Sequence, residues 1–389
     1  MSPSLKDKLR MMDKELPTAS RNGPPVAAKQ EEDGEFHYVR ESCSLASFCD
    51  RRFANPQNLS AIFGLPFPKT LQERDLLFLD TETTGLSGGA GTVAFQIGLG
   101  YIQGQSFVTE QFLIRDYHEE PAMLREIAGR LSRFSALVTF NGKTFDVPLI
   151  KSRLLMNRQS PECVTDLHAD VLHPARRLWK LRLGNCRLSH LEEALLGVER
   201  QDDLAGALVP QTYFQYLKDR NFQPLERILE HNRQDIVSLA QLFFFLCMQW
   251  AKPEAIQSEM DLFSLARAHE RRGETAQAVK CYRLSARGTE TRGRAFQALA
   301  VHEKRNARAD NAIRLYEAMA KRGEDPAMAY EALAKLAEHQ KKDLSQALHY
   351  TRQGLLFLAE PTLCVNEAVQ SRRIALQYRY ARLLRKQGT

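Results

Sequence analysis

A chain of 389 residues, 43% hydrophobic and 26% charged, has the length and balance of two or three soluble domains, and its seven cysteines, odd in number and without a Cys-x-x-Cys pair, exclude a disulfide framework or a zinc knuckle. Its longest apolar run, residues 242–248, falls far short of the roughly 18 to 20 residues of a membrane span, and its N-terminus lacks an apolar signal core, so a cytoplasmic protein without a membrane helix is expected. The net charge of +7 is unevenly placed: residues 251–389 carry 25 Lys and Arg against 16 Asp and Glu, while residues 1–250 carry 29 against 31, and a basic surplus of that kind suits a polyanionic partner as well as a merely solvated surface.

Residues 1 to about 40 are polar and without apolar patterning, which predicts disorder. Scattered aromatics such as Tyr38, Phe63 and Phe67 then predict a lead-in that packs on the next domain, so residues 1–70 read as a disordered or irregular leader. At residues 76–79 a continuous Leu-Leu-Phe-Leu run reads as a buried strand. Asp80 and Glu82 follow at its end. Residues two apart in a strand share a face, so the two carboxylates repel unless a cation, most simply a divalent metal ion, lies between them. The Gly-rich segment at 85–91 lacks the Gly-Lys-Ser/Thr ending of a triphosphate loop and the spacing of a dinucleotide fingerprint, and reads as a mobile connection between strands.

Two further strands are expected at 92–102 and 107–114, joined by a turn at Gln103-Gly104-Gln105. A helix over 120–134 and a short strand over 136–140 follow. Asn141-Gly142 then turns into a helix that carries Asp146 near its start, where an Asp also serves as an ordinary cap. Another strand is expected over 162–167. Between Asp170 and Glu192 there is no acid, and Arg176, Arg177, Lys180, Arg182 and Arg187 alternate with His173 and Trp179. That mixture suits a groove for a phosphate backbone and stacked bases, and equally an exposed helix. After a short helix at 189–198, residues 224–250 form the longest helix signal of this half, with His231 and Asp235 four apart on one face.

Taken together, Asp80-Thr81-Glu82-Thr83-Thr84-Gly85, Asn141-x-x-x-Phe145-Asp146-x-Pro148 and His231-Asn232-x-x-Asp235 resemble the three exonuclease motifs of the DEDD superfamily, the ribonuclease-H-like fold of proofreading 3′-5′ exonucleases, and within it the YprB-like bacterial proteins. The separations of 64 residues from Glu82 to Asp146 and 89 from Asp146 to Asp235 suit that fold. The resemblance covers residues 71–250. It implies an α/β ribonuclease-H-like domain, a mixed central sheet flanked by helices, in which Asp80, Glu82, Asp146 and Asp235 hold two Mg²⁺ or Mn²⁺ ions about 3.5 to 4 Å apart for an in-line phosphodiester hydrolysis. It also implies that Thr81, Thr83, Thr84 and Gly85 grip the terminal nucleotide, with Asn141, Lys143 and Phe145 on the substrate strand; Arg176, Arg177 and Lys180, from the basic stretch, are candidates for contact with its phosphate backbone. His231 departs from the pattern. It stands four residues before the last Asp, where the tyrosine subclass has Tyr, whereas the histidine subclass has His five before; at that spacing it orients or deprotonates the attacking water.

The last part of the chain, residues 251–389, is helical and repetitive. Ala278-Val279-x-x-Tyr282 recurs as Ala312-Ile313-x-x-Tyr316 and as Ala347-Leu348 with Tyr350, at periods of 34 and 35 residues, which resembles tetratricopeptide repeats. Such repeats imply a protein partner, and the basic surplus admits nucleic acid. The expected function is a metal-dependent 3′-5′ exonuclease of single-stranded DNA or RNA with a helical repeat domain. The alternative is a non-catalytic nucleic-acid-binding or scaffold protein that keeps a nuclease fold.

Overall fold

Each residue of the run Leu76 to Leu79 is at most 1% exposed, and the strand they begin is the centre of the first part of the protein. The computed structural model describes residues 26–31, 35–45, 56–85, 91–200, 204–359 and 367–388. Two compact units emerge, residues 1–176 with 185–251 and residues 177–184 with 252–389. The strands are β1 Val26–Glu31, β2 His37–Ser44, β3 Leu76–Thr83, β4 Ala94–Gln103, β5 Ser106–Leu113, β6 Ala136–Thr139 and β7 His168–Asp170, in one sheet of order β1-β2-β5-β4-β3-β6-β7. Pairs from β1 to β3 across the sheet are antiparallel, whereas β3, β6 and β7 run parallel. Pairing with β6 covers only Leu76 to Phe78, while β4 follows β3 along its length. Beyond Phe78 one edge of β3 therefore has no ladder, and there the acids begin.

Helices of this unit are α1 Pro56–Phe63, α2 Glu120–Leu131, α3 Asp146–Met156, the start of α4 Leu172–Leu183, whose residues 177–183 belong to the second unit, α5 Val209–Asp219 and α6 Gln223–Ala251. Leu77 and Leu79 join a core with Met123, Leu124 and Ile127 of α2 and Leu149, Ile150 and Leu154 of α3. On the alternate residue, Phe78 packs edge-on to Phe243 of α6 at 5.6 Å. Two glycines let α6 lie close on the sheet. A Cβ at Gly98 would stand 2.1 Å from Asn232 Oδ1, and one at Gly100 would stand 2.5 Å from Ile236 Cγ2. Two strand residues advance about 6.7 Å and four helix residues about 6 Å, so the glycine pair and the Asn232–Ile236 pair run in step.

Two expectations change. The leader supplies structure: β2 pairs with β5 from His37↔Leu113 to Ser44↔Ser106, because alternate side chains such as Tyr38 and Phe112, with rings 5.1 Å apart, pack across the pair. Phe63 of α1 stacks on Phe243 at 5.8 Å, as a packed lead-in requires. The strand expected at 162–167 begins at His168 instead, because Pro161 opens a 3₁₀ turn whose Glu162 N–H is accepted by Ser160 Oγ. Residues 1–25 and 86–90, read as disordered and as a mobile connection, lie outside the described residues.

In the second unit α7 Glu259–Arg271, α8 Thr275–Ser285, α9 Arg292–Arg305, α10 Ala309–Lys321, α11 Pro326–Leu336, α12 Leu344–Leu358 and α13 Glu367–Gln387 each pack on the next. The repeating small and aromatic positions are interior: Ala278, Ala312 and Ala347 are buried, as are Tyr282, Tyr316 and Tyr350. Small residues let successive helices approach while the tyrosines fill the space between them. Among the described residues no helix is long and apolar enough to cross a membrane.

Candidate active site

Alternation along β3 divides its side chains between two neighbours. Asp80 and Glu82 sit across from Gly98 and Gln96 of β4, on the side that α6 covers. Thr81 points the other way and donates its hydroxyl to Asp146 Oδ1 at 2.5 Å, which ties the first turn of α3 to the strand. From α6, Asn232 donates to Asp80 Oδ2 at 2.9 Å and accepts from Gln111 of β5 at 3.1 Å. Gln111 also donates to the Leu229 carbonyl at 2.7 Å, so a buried amide chain sets the orientation of Asp80. His231 Nε2 lies 3.8 Å from Glu82 Oε1 and 3.6 Å from Asp235 Oδ2. Ligand atoms of Glu82, His231 and Asp235 all fall within 4.8 Å of one another.

Burial and mutual repulsion make the cluster electrostatically incomplete. Asp80 has its carboxyl held well above the usual range, first by desolvation, then by the charges of Asp235, Asp146 and Glu82, with Asn232 opposing. Desolvation pushes Asp146 up to about 6 against the pull of its Thr81 bond. Asp235 is raised by desolvation, with His231 and Arg200 opposing. Arg200 is the guanidinium in contact with the cluster: it holds the fully buried Glu192 through bonds of 2.7 and 2.6 Å and also bonds Asp235. A set of carboxylate oxygens held together against repulsion is the donor chemistry of a hard divalent cation, and these residues fit one.

Arg200 also determines the state of His231. Its Nη1 lies 3.3 Å from His231 Nδ1, and a guanidinium only donates. Nδ1 therefore accepts, and neutral His231 carries its proton on Nε2, the nitrogen that faces Glu82 and Asp235. In that tautomer His231 is a hydrogen-bond donor toward the acids, and its Nε2 is neither a free base nor a metal ligand.

The loop that leads into α3 is set by Asp170, 2% exposed, at the end of β7. Its carboxylate accepts the backbone N–H of Asn141 at 2.8 Å, of Lys143 at 3.1 Å and of Leu172 at 3.1 Å. Asn141 takes a left-handed backbone with φ 69°, which Asn tolerates. The Lys143 side chain is exposed, and Phe145 is 50% exposed immediately before Asp146. Thr83 donates to the Gly85 carbonyl at 2.9 Å, and Thr84 Oγ1 accepts from Val93 N at 3.0 Å, which fixes the strand end.

The basic stretch is different. Trp179 is fully buried and offers no face to a base, and Arg182 pairs with Asp261 within the second unit. Arg176, Arg177 and Lys180 are exposed on α4, and among the described residues none is hydrogen-bonded or ion-paired to the acids. Arg200 and Gln111 are absent from the sequence reading, and Asn232 stands in a motif there without a role. Asp170 and Glu192 appear there only as the two ends of a long acid-free stretch.

Residues 77–247 match a family model described as RNase_H superfamily. The uncharacterized protein YprB of Bacillus subtilis (strain 168) is 32% identical over 323 residues, which cover 82% of this chain and 76% of that protein. The family B DNA polymerase of the hyperthermophilic archaeon Pyrobaculum calidifontis matches over 64% of this chain and 50% of its own, at a TM-score of 0.37 and 10% identity, a likeness too remote to carry an argument.

Proposed function

The chain belongs to the family of YprB, with an RNase H superfamily domain, and from that premise we propose that it is a metal-dependent 3′-5′ exonuclease acting on single-stranded nucleic acid. The observation that carries this reading is the crowding of buried negative charge: desolvation and mutual repulsion raise Asp80, Asp146 and Asp235, and the guanidinium that bonds Asp235, that of Arg200, is itself shared with Glu192. Asp80, Glu82, Asp146 and Asp235 would hold the ions, Mg²⁺ or Mn²⁺, which when bound supply a water of lowered pKa and positive charge opposite the leaving 3′ oxygen. Every other part belongs to the chain. Asn232 and Thr81 fix the orientation of Asp80 and Asp146. His231, with its proton on Nε2, orients the attacking water by donating to it, and Arg200 keeps that tautomer in place. Thr83, Thr84 and Gly85 hold the terminal nucleotide at the end of β3, and the exposed Lys143 and Phe145 reach the strand beside it.

We read helices α7 to α13 as tetratricopeptide-like repeats that bind a protein or nucleic-acid partner. A second reading, a scaffold that retains the fold without activity, is favoured by one feature: Arg200 already pairs with Asp235. End-labelled single-stranded DNA and RNA incubated with Mg²⁺ or Mn²⁺ separate the two. Stepwise shortening from the 3′ end is expected for the wild type and its loss for Asp80→Asn. No products from either protein would leave only the scaffold, and equal products from both would remove Asp80 from the cleavage.

A further inference from the structure

Helix α5 has two faces of unlike character. Val209, Tyr213 and Tyr216 are buried, with Tyr213 stacked on Phe95 at 4.0 Å and its hydroxyl donating to the Ile114 carbonyl at 3.1 Å. Pro210, Gln211, Phe214, Gln215 and Lys218 line a cleft of about 420 Å³ together with Gly85. Positions 211, 214, 215 and 218 fall on one helical face. Phe214 is 40% exposed although its neighbours Tyr213 and Tyr216 are packed away, and Lys218 is exposed with no ion-pair partner among the described residues. Gln215 makes one side-chain bond, to Asp219 at 2.9 Å.

The far wall is the decisive feature. Gly85 lies three residues beyond Glu82 in the chain, so one wall of the cleft is the segment that leaves the acid-bearing strand. An aromatic face, a cation one turn further on and two amides are what sequence-tolerant binding of an unpaired strand requires: a surface for stacking, a charge for the phosphate and donors for base edges. The volume falls in the range of small-ligand sites. We propose that this cleft is a subsite for the single strand next to the scissile phosphate, with Phe214 stacking on a base and Lys218 pairing with a phosphate. The assignment rests on the nuclease reading above and adds to it the direction in which the strand leaves the acids.

The test uses the full chain and two readouts. Anisotropy of fluorescently labelled oligo(dT) and oligo(U) hexamers in EDTA reads binding without turnover, and the two oligomers separate DNA from RNA preference. Phe214→Ala should weaken binding about tenfold, Phe214→Trp should retain it, and Lys218→Ala should lower the slope of log affinity against log salt by about 0.7. Hydrolysis of the p-nitrophenyl ester of thymidine 5′-phosphate with Mn²⁺, a substrate without the neighbouring nucleotides that Phe214 and Lys218 would bind, should be retained in all four proteins. Unchanged hexamer binding in Phe214→Ala and Lys218→Ala overturns the proposal, as does absence of hexamer binding by the wild type. Loss of ester hydrolysis in Phe214→Ala overturns it too, since the damage then reaches the acids. A wild type that binds the hexamer through Phe214 and Lys218 but cleaves neither substrate keeps the cleft and removes the nuclease reading.

Discussion

Each unit buries acid, and the two solve the problem in opposite ways. In the second unit Glu338, 4% exposed, is met by Arg379, by Arg382 at 2.7 and 2.5 Å and by Lys386 at 3.1 Å, all on α13. Burial alone would raise its carboxyl, but Lys386 and Arg382 lead the groups that bring it below the usual range. In the first unit Asp80, Asp146 and Asp235 are raised, and the guanidinium that bonds Asp235, that of Arg200, is divided with Glu192. One acid with three cations is a staple: it is complete as folded. Several acids with one cation are incomplete until a counter-ion arrives, and such a site works against the fold that holds it.

The sharpest way to break this contrast is to remove one acid from the incomplete site. Asp235→Ala should lower hydrolysis at least as much as loss of a general catalyst, about a hundredfold to ten-thousandfold, and abolish the rise in Tm on adding Mg²⁺, because an ion bound only to the folded state stabilises it by linkage. His231→Ala should lose a comparable part of the rate yet keep that rise. Near wild-type turnover of His231→Ala from pH 6 to 9 would remove His231 from the chemistry.

Next in size are the neutral replacements, which should act with opposite signs. Glu338→Gln leaves three cations without their acid and should cost about 2 kcal/mol at pH 7 in urea denaturation. The folded pKa of Glu338 is lowered, so its contribution is present above the unfolded value near 4.5, and the gap to wild type should close as pH falls below it. Asp146 is raised from 3.8 to about 6, so in EDTA the folded state keeps its proton longer and wild type loses stability as pH rises from about 4 through 6. Asp146→Asn should therefore be more stable than wild type by about 1–3 kcal/mol at pH 7 without metal, and equal to it near pH 4. The same sign for both variants would erase the distinction drawn here.

The smallest effect concerns the exposed face of α4. Arg176→Ala combined with Arg177→Ala should lower the salt slope of single-strand binding by no more than about 1.4, two contacts at about 0.7 each. An unchanged slope would return that face to ordinary solvated helix.

What is legible in the sequence follows from how locally each signal is encoded. β3 announces itself because four buried apolar residues and two acids are consecutive, and the α6 acids because residues four apart share a helical face. The leader strand β2 is hidden because its alternation is completed only by β5, some seventy residues away. Arg200 has no pattern at all: its partners stand 8 residues away at Glu192 and 35 away at Asp235, and only the folded chain joins them. The basic stretch misleads because composition does not say which way Trp179 turns. Spacing does locate the five principal residues of the candidate site, but the groups that orient them come from tertiary contact.

The glycines of β4 couple two quantities that are independent in most folds. Because Asn232 and Ile236 rest where side chains at positions 98 and 100 would be, the gap between helix and sheet is as narrow as backbone allows. Asn232, His231 and Asp235 are carried on that one rigid rod. A single methyl at position 98 would thus press on Asn232 and act as a shim under the helix, carrying His231 and Asp235 away from the sheet without touching either of them. Layer thickness, ordinarily a matter of core volume, is in this protein a coordinate of the chemistry.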